Sequence, residues 1–358
     1  MRAMRLLEFG GSFEPVDVDV PRPGQGEVLV RVEACGAGLT LEHGRLGLLG
    51  GSTPRILGHE FAGRVEALGE GAGRWTVGTA VTANFYLLCG ACDMCANGRE
   101  TLCRNDGGYF GLAVDGAFAE YVVAPERSLV EIPDGVVLHE AGVVADAVAT
   151  PYHVASQQAH VQPGQTVAVI GAGGGVGVHM TQVARAFGAT AIGVERDAAK
   201  LERLEGLDLA DVLVAASTPW WGEELSRAAR GRLDACVDMV ASTEAFPQGV
   251  RALGVGGTFV IVGFQPRVRL DLEPTRLLLE ELVVTGNRYT TRSEIGMALE
   301  LVRAGHVRPV IGAVFELERL NDAFEAIRGS TAFGRVLIDC RATPADHGDD
   351  RTLACAPS

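Results

Sequence analysis

The chain has 358 residues, 47% hydrophobic and 21% charged, a globular balance with enough length for two domains. Its net charge of −14 argues against a nucleic-acid partner, and no stretch is apolar for long enough to cross a membrane. The N-terminal MRAMRLLEFGGSFEP lacks a continuous apolar segment and reads as strand and turn, so a cytoplasmic location is expected.

Met4–Phe9 and Val16–Val20 are short strands on either side of Gly10-Gly11, and Pro21–Gly26 is a turn. Glu27–Ala34 alternates strictly, with Val28, Val30 and Val32 on one face and Leu29, Arg31 and Glu33 on the other. Phe61–Leu68 and Val77–Ala83 add strands broken by Gly69, Gly71, Gly73 and Gly78. Many short strands with turn signals predict a compact β-rich first domain.

Cys89-x-x-Cys92-x-x-Cys95-x7-Cys103 lies inside that region. Two-residue gaps let consecutive thiolates turn back onto one tetrahedral ion, and Gly90 and Gly98 ease the backbone. Four thiolates close the coordination shell, so the expected zinc is structural. Leu138–Ala159 reads as a helix interrupted at Pro151, bridging to the second domain. His153, on that bridge, reads as packed.

From Gln165 the pattern alternates strand and helix. Thr166–Ile170, Ala189–Val194, Ala210–Val214, Leu233–Val240, Gly257–Phe264 and Leu282–Thr285 are six strands of a doubly wound parallel sheet. The first strand runs into Gly171-Ala172-Gly173-Gly174-Gly175-Val176-Gly177, a helix comes next over Val178–Gly188, and Glu195 ends the second strand. Strand, glycine turn, helix, strand and acid is the layout of a dinucleotide site. The glycines admit a pyrophosphate to the backbone, and the helix N-terminus meets its charge with free N–H groups. The usual spacing starts here on an alanine, Ala172-x-Gly174-x-x-Gly177. Glu195 can hold both ribose hydroxyls and would repel a 2′-phosphate, which favours NAD over NADP; Arg196, directly after it, moderates that preference. Trp220-Trp221 reads as packing or a partner surface, and Cys236 and Cys340 as inert core. Ser293–Ala304 and Leu320–Ile327 are helices, Phe315–Leu317 and Arg335–Asp339 strands, and 342–358 a loose tail.

These features together resemble the zinc-containing alcohol dehydrogenases of the medium-chain dehydrogenase/reductase superfamily. The resemblance rests on the four-cysteine lobe, on Gly58-His59-Glu60-Phe61-Ala62-Gly63, on the glycine loop and on Gly334-Arg335. It implies an α/β architecture: a β-rich GroES-like catalytic domain over 1–150 with the zinc lobe at 89–103, and a Rossmann domain over 151–286. Residues 287–341 would return to the catalytic domain, with the active site in the cleft between the two.

The resemblance also implies a catalytic zinc held by a Cys, the His of Gly-His-Glu and a later Cys, Asp or Glu. His59 matches the second ligand, and Asp146 falls where the third belongs. The family reads Cys-Gly-x-Cys-x-Thr/Ser-Asp around the first, its second Cys being the ligand. This chain reads Cys35-Gly36-Ala37-Gly38-Leu39-Thr40-Leu41, with Gly38 at the ligand position. Glu60 could complete a set with His59 and Asp146, although consecutive residues on a strand point apart. Glu60 reads alternatively as a structural carboxylate paired with an arginine, and Asp146 as a helix cap. Thr40 matches the hydroxyl that relays the substrate proton, and His43 could carry it to solvent. Arg335 is expected at the pyrophosphate, or else as a surface cation on the last strand.

Three functions are open. The first is an NAD-dependent alcohol dehydrogenase or carbonyl reductase acting on a small molecule. The second is a member without catalytic zinc that reduces an activated C=C or C=N bond. The third is a silent dinucleotide-binding protein. A homodimer or homotetramer is expected, joined through an edge strand such as Gly257–Phe264.

Overall fold

The computed structural model describes residues 1–341, so the tail expected over 342–358 lies outside the described residues. Two sheet systems organise them. The first is a seven-stranded sheet with six strands in the order Ile311–Glu316, Arg335–Asp339, Glu27–Ala37, Glu60–Leu68, Ala80–Ala83 and Leu129–Glu131, and Tyr121–Pro125 branching onto Glu27–Ala37. A smaller sheet joins Phe13–Asp17, Arg2–Leu6 and Arg55–Ile56. The strand read from Glu27 continues to Ala37, with Val28, Val30 and Val32 buried at 1% exposure or less. Leu29 on the other face is buried too, and from Ala34 to Ala37 both faces are covered, so the alternation ends at Glu33.

The second sheet has six parallel strands in the order Val212–Ala215, Thr190–Glu195, Thr166–Ile170, Leu233–Asp238, Leu253–Ile261 and Val283–Gly286. The strand order reverses across this sheet at Thr166–Ile170, which places a crevice at its carboxyl end. That central strand is apolar on both faces for a reason visible in the packing. Val167 and Val169 enter one helical layer's core, whereas Ala168 and Ile170 enter the other's.

Arg335–Asp339 leaves the parallel sheet behind and pairs antiparallel with Glu27–Ala37, with Val336 opposite Ala37 and Leu337 opposite Gly36. Just before it, the Gly334 N–H donates to the Gly173 carbonyl at 3.1 Å, so the returning chain is tied to the glycine loop. No helix among the described residues is long and apolar enough to cross a membrane.

Two expectations are corrected. Leu253–Ile261 is not an edge strand, because Val283–Gly286 pairs along its outer side. Pro151 does not interrupt the bridge. It lies within Ala149–His153, between π-type turns at Val144–Val148 and Val154–Gln158, and the widened turn before it absorbs the hydrogen bond that proline cannot make. His153 is buried there, and its Nδ1 lies 2.7 Å from Glu294. Trp221 is buried at the start of a helix while Trp220 is exposed. Cys236 and Cys340 are fully buried, and burial pushes both thiols up.

Candidate active site

At the carboxyl end of Thr166–Ile170 the chain turns through Gly171 into the helix Gly177–Ala186. A Cβ on Gly177 would stand 2.1 Å from the Gly171 carbonyl oxygen, so only glycine closes this turn. The amides of Gly171 and Ala172 bond to Val194, and that of Gly174 to Gly171. Those of Gly175, Val176 and Gly177 make no hydrogen bond to any described residue, which leaves three N–H groups for an anion at the helix N-terminus. Glu195 ends the adjacent strand. One carboxylate oxygen accepts the Gly173 N–H at 3.0 Å, and the other accepts Arg196 N–H at 2.8 Å and Asp197 N–H at 3.2 Å. The acid is thereby held against the loop, as a ribose-binding carboxylate requires. Arg196 itself is exposed.

Across the crevice, the residues expected around a catalytic metal converge on a different cation. Arg335 is 4% exposed. Its Nε lies 2.9 Å from Glu60 Oε2, and its Nη2 lies 2.7 Å from the same oxygen and 3.0 Å from Asp146 Oδ2. Asp146 Oδ2 is also 3.3 Å from His59 Nε2, and its Oδ1 accepts the Thr150 hydroxyl at 2.8 Å. The other oxygen of Glu60 accepts the N–H groups of Asp146 at 3.0 Å and Ala147 at 2.7 Å. His59 precedes the strand that starts at Glu60, so strand alternation does not separate the two side chains and both meet Asp146.

Burial raises the Glu60 carboxyl, with Arg335 opposing. For Asp146 burial acts upward too, but His59 and Arg335 outweigh it and hold the acid well below its usual range.

Two glycines make this arrangement possible. A Cβ on Gly36 would lie 2.2 Å from Glu60 Oε2. A Cβ on Gly38 would lie 2.2 Å from Arg335 Nη1 and 2.7 Å from its Cζ. Cys35, between the faces, cannot help: its thiol donates to the Gly36 carbonyl and is pushed up by burial and by Cys340 nearby. The expected catalytic zinc therefore does not fit. The first ligand has no side chain, and the oxygens of Glu60 and Asp146 already face a guanidinium. Among the described residues, the only group of three or more donors gathered within 4.8 Å of one another is the cysteine cluster. The expectation that His59, Glu60 and Asp146 hold a metal is corrected accordingly. So is that of Arg335 at the pyrophosphate: its stem passes Gly175 of the loop, but its charged end is turned to the two acids.

Thr40 and His43 lie on the short helix Leu39–Arg45 at the mouth of the crevice. The His43 ring meets Phe264 of the parallel-sheet side edge-on at 4.9 Å, and partial burial lowers its pKa, with Glu42 opposing. The pKa of the Tyr289 phenol is raised, first by burial and then by Asp146, which outweigh the neighbouring Thr40 acting to lower it. Tyr289, in left-handed backbone at φ 54°, packs against Phe85 at 4.5 Å, and Phe85 packs on His59 at 4.8 Å. Tyr289 and Phe85 escape sequence reasoning because they come from loops with no motif. The only local signal is an aromatic residue three positions after the last parallel strand ends at Gly286.

The cysteine lobe is preformed. Sγ–Sγ separations are 3.5 Å for Cys89–Cys103, 3.9 Å for Cys92–Cys103 and 4.0 Å for Cys89–Cys95. The edge of a tetrahedral zinc–thiolate site is about 3.8 Å for bonds near 2.3 Å. Backbone N–H groups of Ala91 and Cys92 point at Cys89 Sγ, and those of Arg104 and Cys95 bring the Cys92 thiol down to about 6. These residues fit a structural zinc. A cavity of about 740 Å³ lies beside the lobe, lined by Met1, Arg5, Glu27, Cys89 and Arg127 among others, and shares no residue with the crevice.

Residues 24–134 match the family model of the alcohol dehydrogenase GroES-like domain, and residues 175–304 that of zinc-binding dehydrogenases. A NAD-dependent alcohol dehydrogenase of Sulfurisphaera tokodaii is 32% identical over 94% of this chain and 99% of its own length. An acryloyl-coenzyme A reductase of the same organism is 30% identical over 91% of this chain and 96% of its own. The crystal structure of AibC superposes with a TM-score of 0.89 at 32% identity, covering 95% of both chains.

Proposed function

This chain belongs to the zinc-type alcohol dehydrogenase family of the medium-chain dehydrogenase/reductase superfamily, and we propose that it is an NAD(H)-dependent oxidoreductase working on a small molecule in the crevice between its two sheets. The observation that carries this is the set of unbonded N–H groups at Gly175, Val176 and Gly177 beside the clamped carboxylate of Glu195. The dinucleotide, when bound, supplies or accepts the hydride. The glycine loop holds its pyrophosphate, Glu195 the adenosine ribose, and Arg196 the rim. Glu195 favours NAD over NADP because a 2′-phosphate would meet a fixed negative charge.

On the substrate side, the Thr40 hydroxyl and the Tyr289 phenol form the proton-handling pair. His43, kept mostly neutral at pH 7 by its lowered pKa, passes the proton toward solvent. Cys89, Cys92, Cys95 and Cys103 hold a structural zinc that shapes the lobe and takes no part in chemistry. The relatives include both alcohol dehydrogenases and an acryloyl-coenzyme A reductase, so kinship alone leaves the substrate class to the site.

The protein forms a homo-oligomer through the outer strand Val283–Gly286, while Val255 of the neighbouring strand and Leu278 and Leu279 of the helix Pro274–Glu280 are at least 75% exposed. The test is a fluorescence titration with NADH and NADPH. Saturable binding with NADH the tighter ligand supports the reading. Absence of binding by either, or a strong NADPH preference, refutes it.

A further inference from the structure

We propose that the Arg335 guanidinium permanently takes the place of the catalytic zinc, so that each chain carries one zinc, in the cysteine lobe, and the crevice reduces a C=C bond conjugated to a carbonyl. The substrate part rests on the dinucleotide reading above; the metal part does not.

Register puts the arginine there. Val336 faces Ala37 and Leu337 faces Gly36 across the antiparallel pair, so Arg335 comes opposite Gly38. The space beyond Gly38, where a ligating side chain would project, is filled by Nη1 and Cζ at 2.2 and 2.7 Å from the Cβ position. Two carboxylates at 0% and 4% side-chain exposure hold the guanidinium through Nε and Nη2. An ion pair this buried leaves neither acid available to a metal without uncovering the arginine. The remaining nitrogen, Nη1, bonds to no described residue and lies over Gly38, two positions before Thr40. It is the guanidinium nitrogen left to meet a substrate oxygen.

Such a donor suits one reaction better than another. An alcohol must lose its O–H proton before hydride can leave carbon, and a bound metal achieves this by coordinating the oxygen directly. A guanidinium only donates hydrogen bonds. In a conjugated enone, hydride bonds to the β-carbon and the C=C pair shifts to form the enolate, whose charge spreads over oxygen and the α-carbon. The Nη1 donor meets that oxygen. The α-carbon then takes a proton from the Tyr289–Thr40 pair, which is replenished from solvent through His43. One hydride and one proton are added, and NADH becomes NAD⁺.

The test begins with zinc per chain in the purified wild-type protein, after exposure to excess Zn²⁺ and desalting. One equivalent is expected; two overturn the proposal. The double variant G38C/R335A, which restores a thiol and removes the guanidinium, should rise to two. One equivalent in a double variant that keeps its circular dichroism and binds NADH would show that Arg335 is not what excludes the metal. Should that variant not fold, the wild-type count still decides.

Reduction of cyclohex-2-enone with NADH should exceed oxidation of propan-2-ol with NAD⁺ by at least about 100-fold in kcat/KM. Comparable or faster alcohol oxidation overturns the substrate class. NADH titrated into the same samples keeps the two readings apart, because lack of binding refutes the dinucleotide site and leaves the zinc count to judge this one.

Discussion

Replacing Arg335 by methionine keeps most of the side-chain volume and removes the charge. The wild-type guanidinium makes three contacts of 3.0 Å or less with Glu60 and Asp146, both buried. Removing one partner from a buried ion pair costs about 3–5 kcal/mol, because the remaining charge stays desolvated. Here the acids keep other partners: Glu60 its two backbone N–H groups, Asp146 the Thr150 hydroxyl and His59. That argues for the lower end, about 3 kcal/mol, or roughly a 150-fold fall in the folding equilibrium. Adding E60Q to R335M deletes one of the two orphaned charges while preserving an amide oxygen for the Asp146 and Ala147 N–H groups, and should recover about half of the loss. Urea unfolding followed by circular dichroism at pH 7 measures both. A loss below about 1 kcal/mol in R335M, or no recovery in the double variant, would refute the view that this cluster is a tightly paired buried charge centre.

Other perturbations test separate parts. Glu195→Ala should weaken NADH binding about 10- to 100-fold, the loss of charge-assisted hydrogen bonds to the ribose, and narrow the gap to NADPH; unchanged affinity by fluorescence titration would contradict it. Tyr289→Phe should lower kcat about 10- to 100-fold with little change in KM, since only proton supply is touched; an effect confined to KM would assign Tyr289 to substrate packing. Cys95→Ser should release the lobe's zinc and lower the melting temperature, read by metal analysis and calorimetry; full zinc retention would rule out the four-thiolate site. Burial would raise the Glu294 carboxyl, but His153 and the Thr291 N–H outweigh it and the pKa falls below its ordinary 4.5. A depressed carboxylate contributes stability above its unfolded pKa and loses it as pH falls through the folded one. The melting-temperature deficit of Glu294→Gln should thus be present at pH 6–7 and shrink below about pH 4; a pH-independent deficit would count against the pairing.

The parallel half of the molecule is readable from sequence because local pattern and tertiary role coincide there. Thr166–Ile170 is apolar on both faces since both faces are covered, and its limits match the sequence reading. The same holds for Arg335–Asp339 and for the cysteine lobe, where spacing alone gathers the donors. The helices Trp221–Ala228 and Ala245–Ala252 begin without a side-chain cap from the N-cap residue, and Pro247 sits inside the second, so the sequence carries no cap signal for either. The outer strand is misread because hydrophobic runs do not say which neighbour lies outside. At the site, Gly38 is legible as a departure and Glu60 as a possible arginine partner. Which arginine, and that it fills the glycine's vacant side-chain volume, depends on the register between two distant strands. Tyr289 is invisible for a similar reason: it reaches Thr40 through loop geometry that no spacing encodes.

Gly38 and Arg335 constrain one another's descent. A mutation that restored a side chain at position 38 would strike an occupied space, while one that first removed the arginine would strand two acids in the interior. In this chain each single step meets a physical cost, a steric one at Gly38 and an electrostatic one at Arg335. Glycine at position 38 should therefore occur together with arginine at 335, whereas arginine alone does not demand glycine, because it belongs to the motif shared with the zinc-binding family.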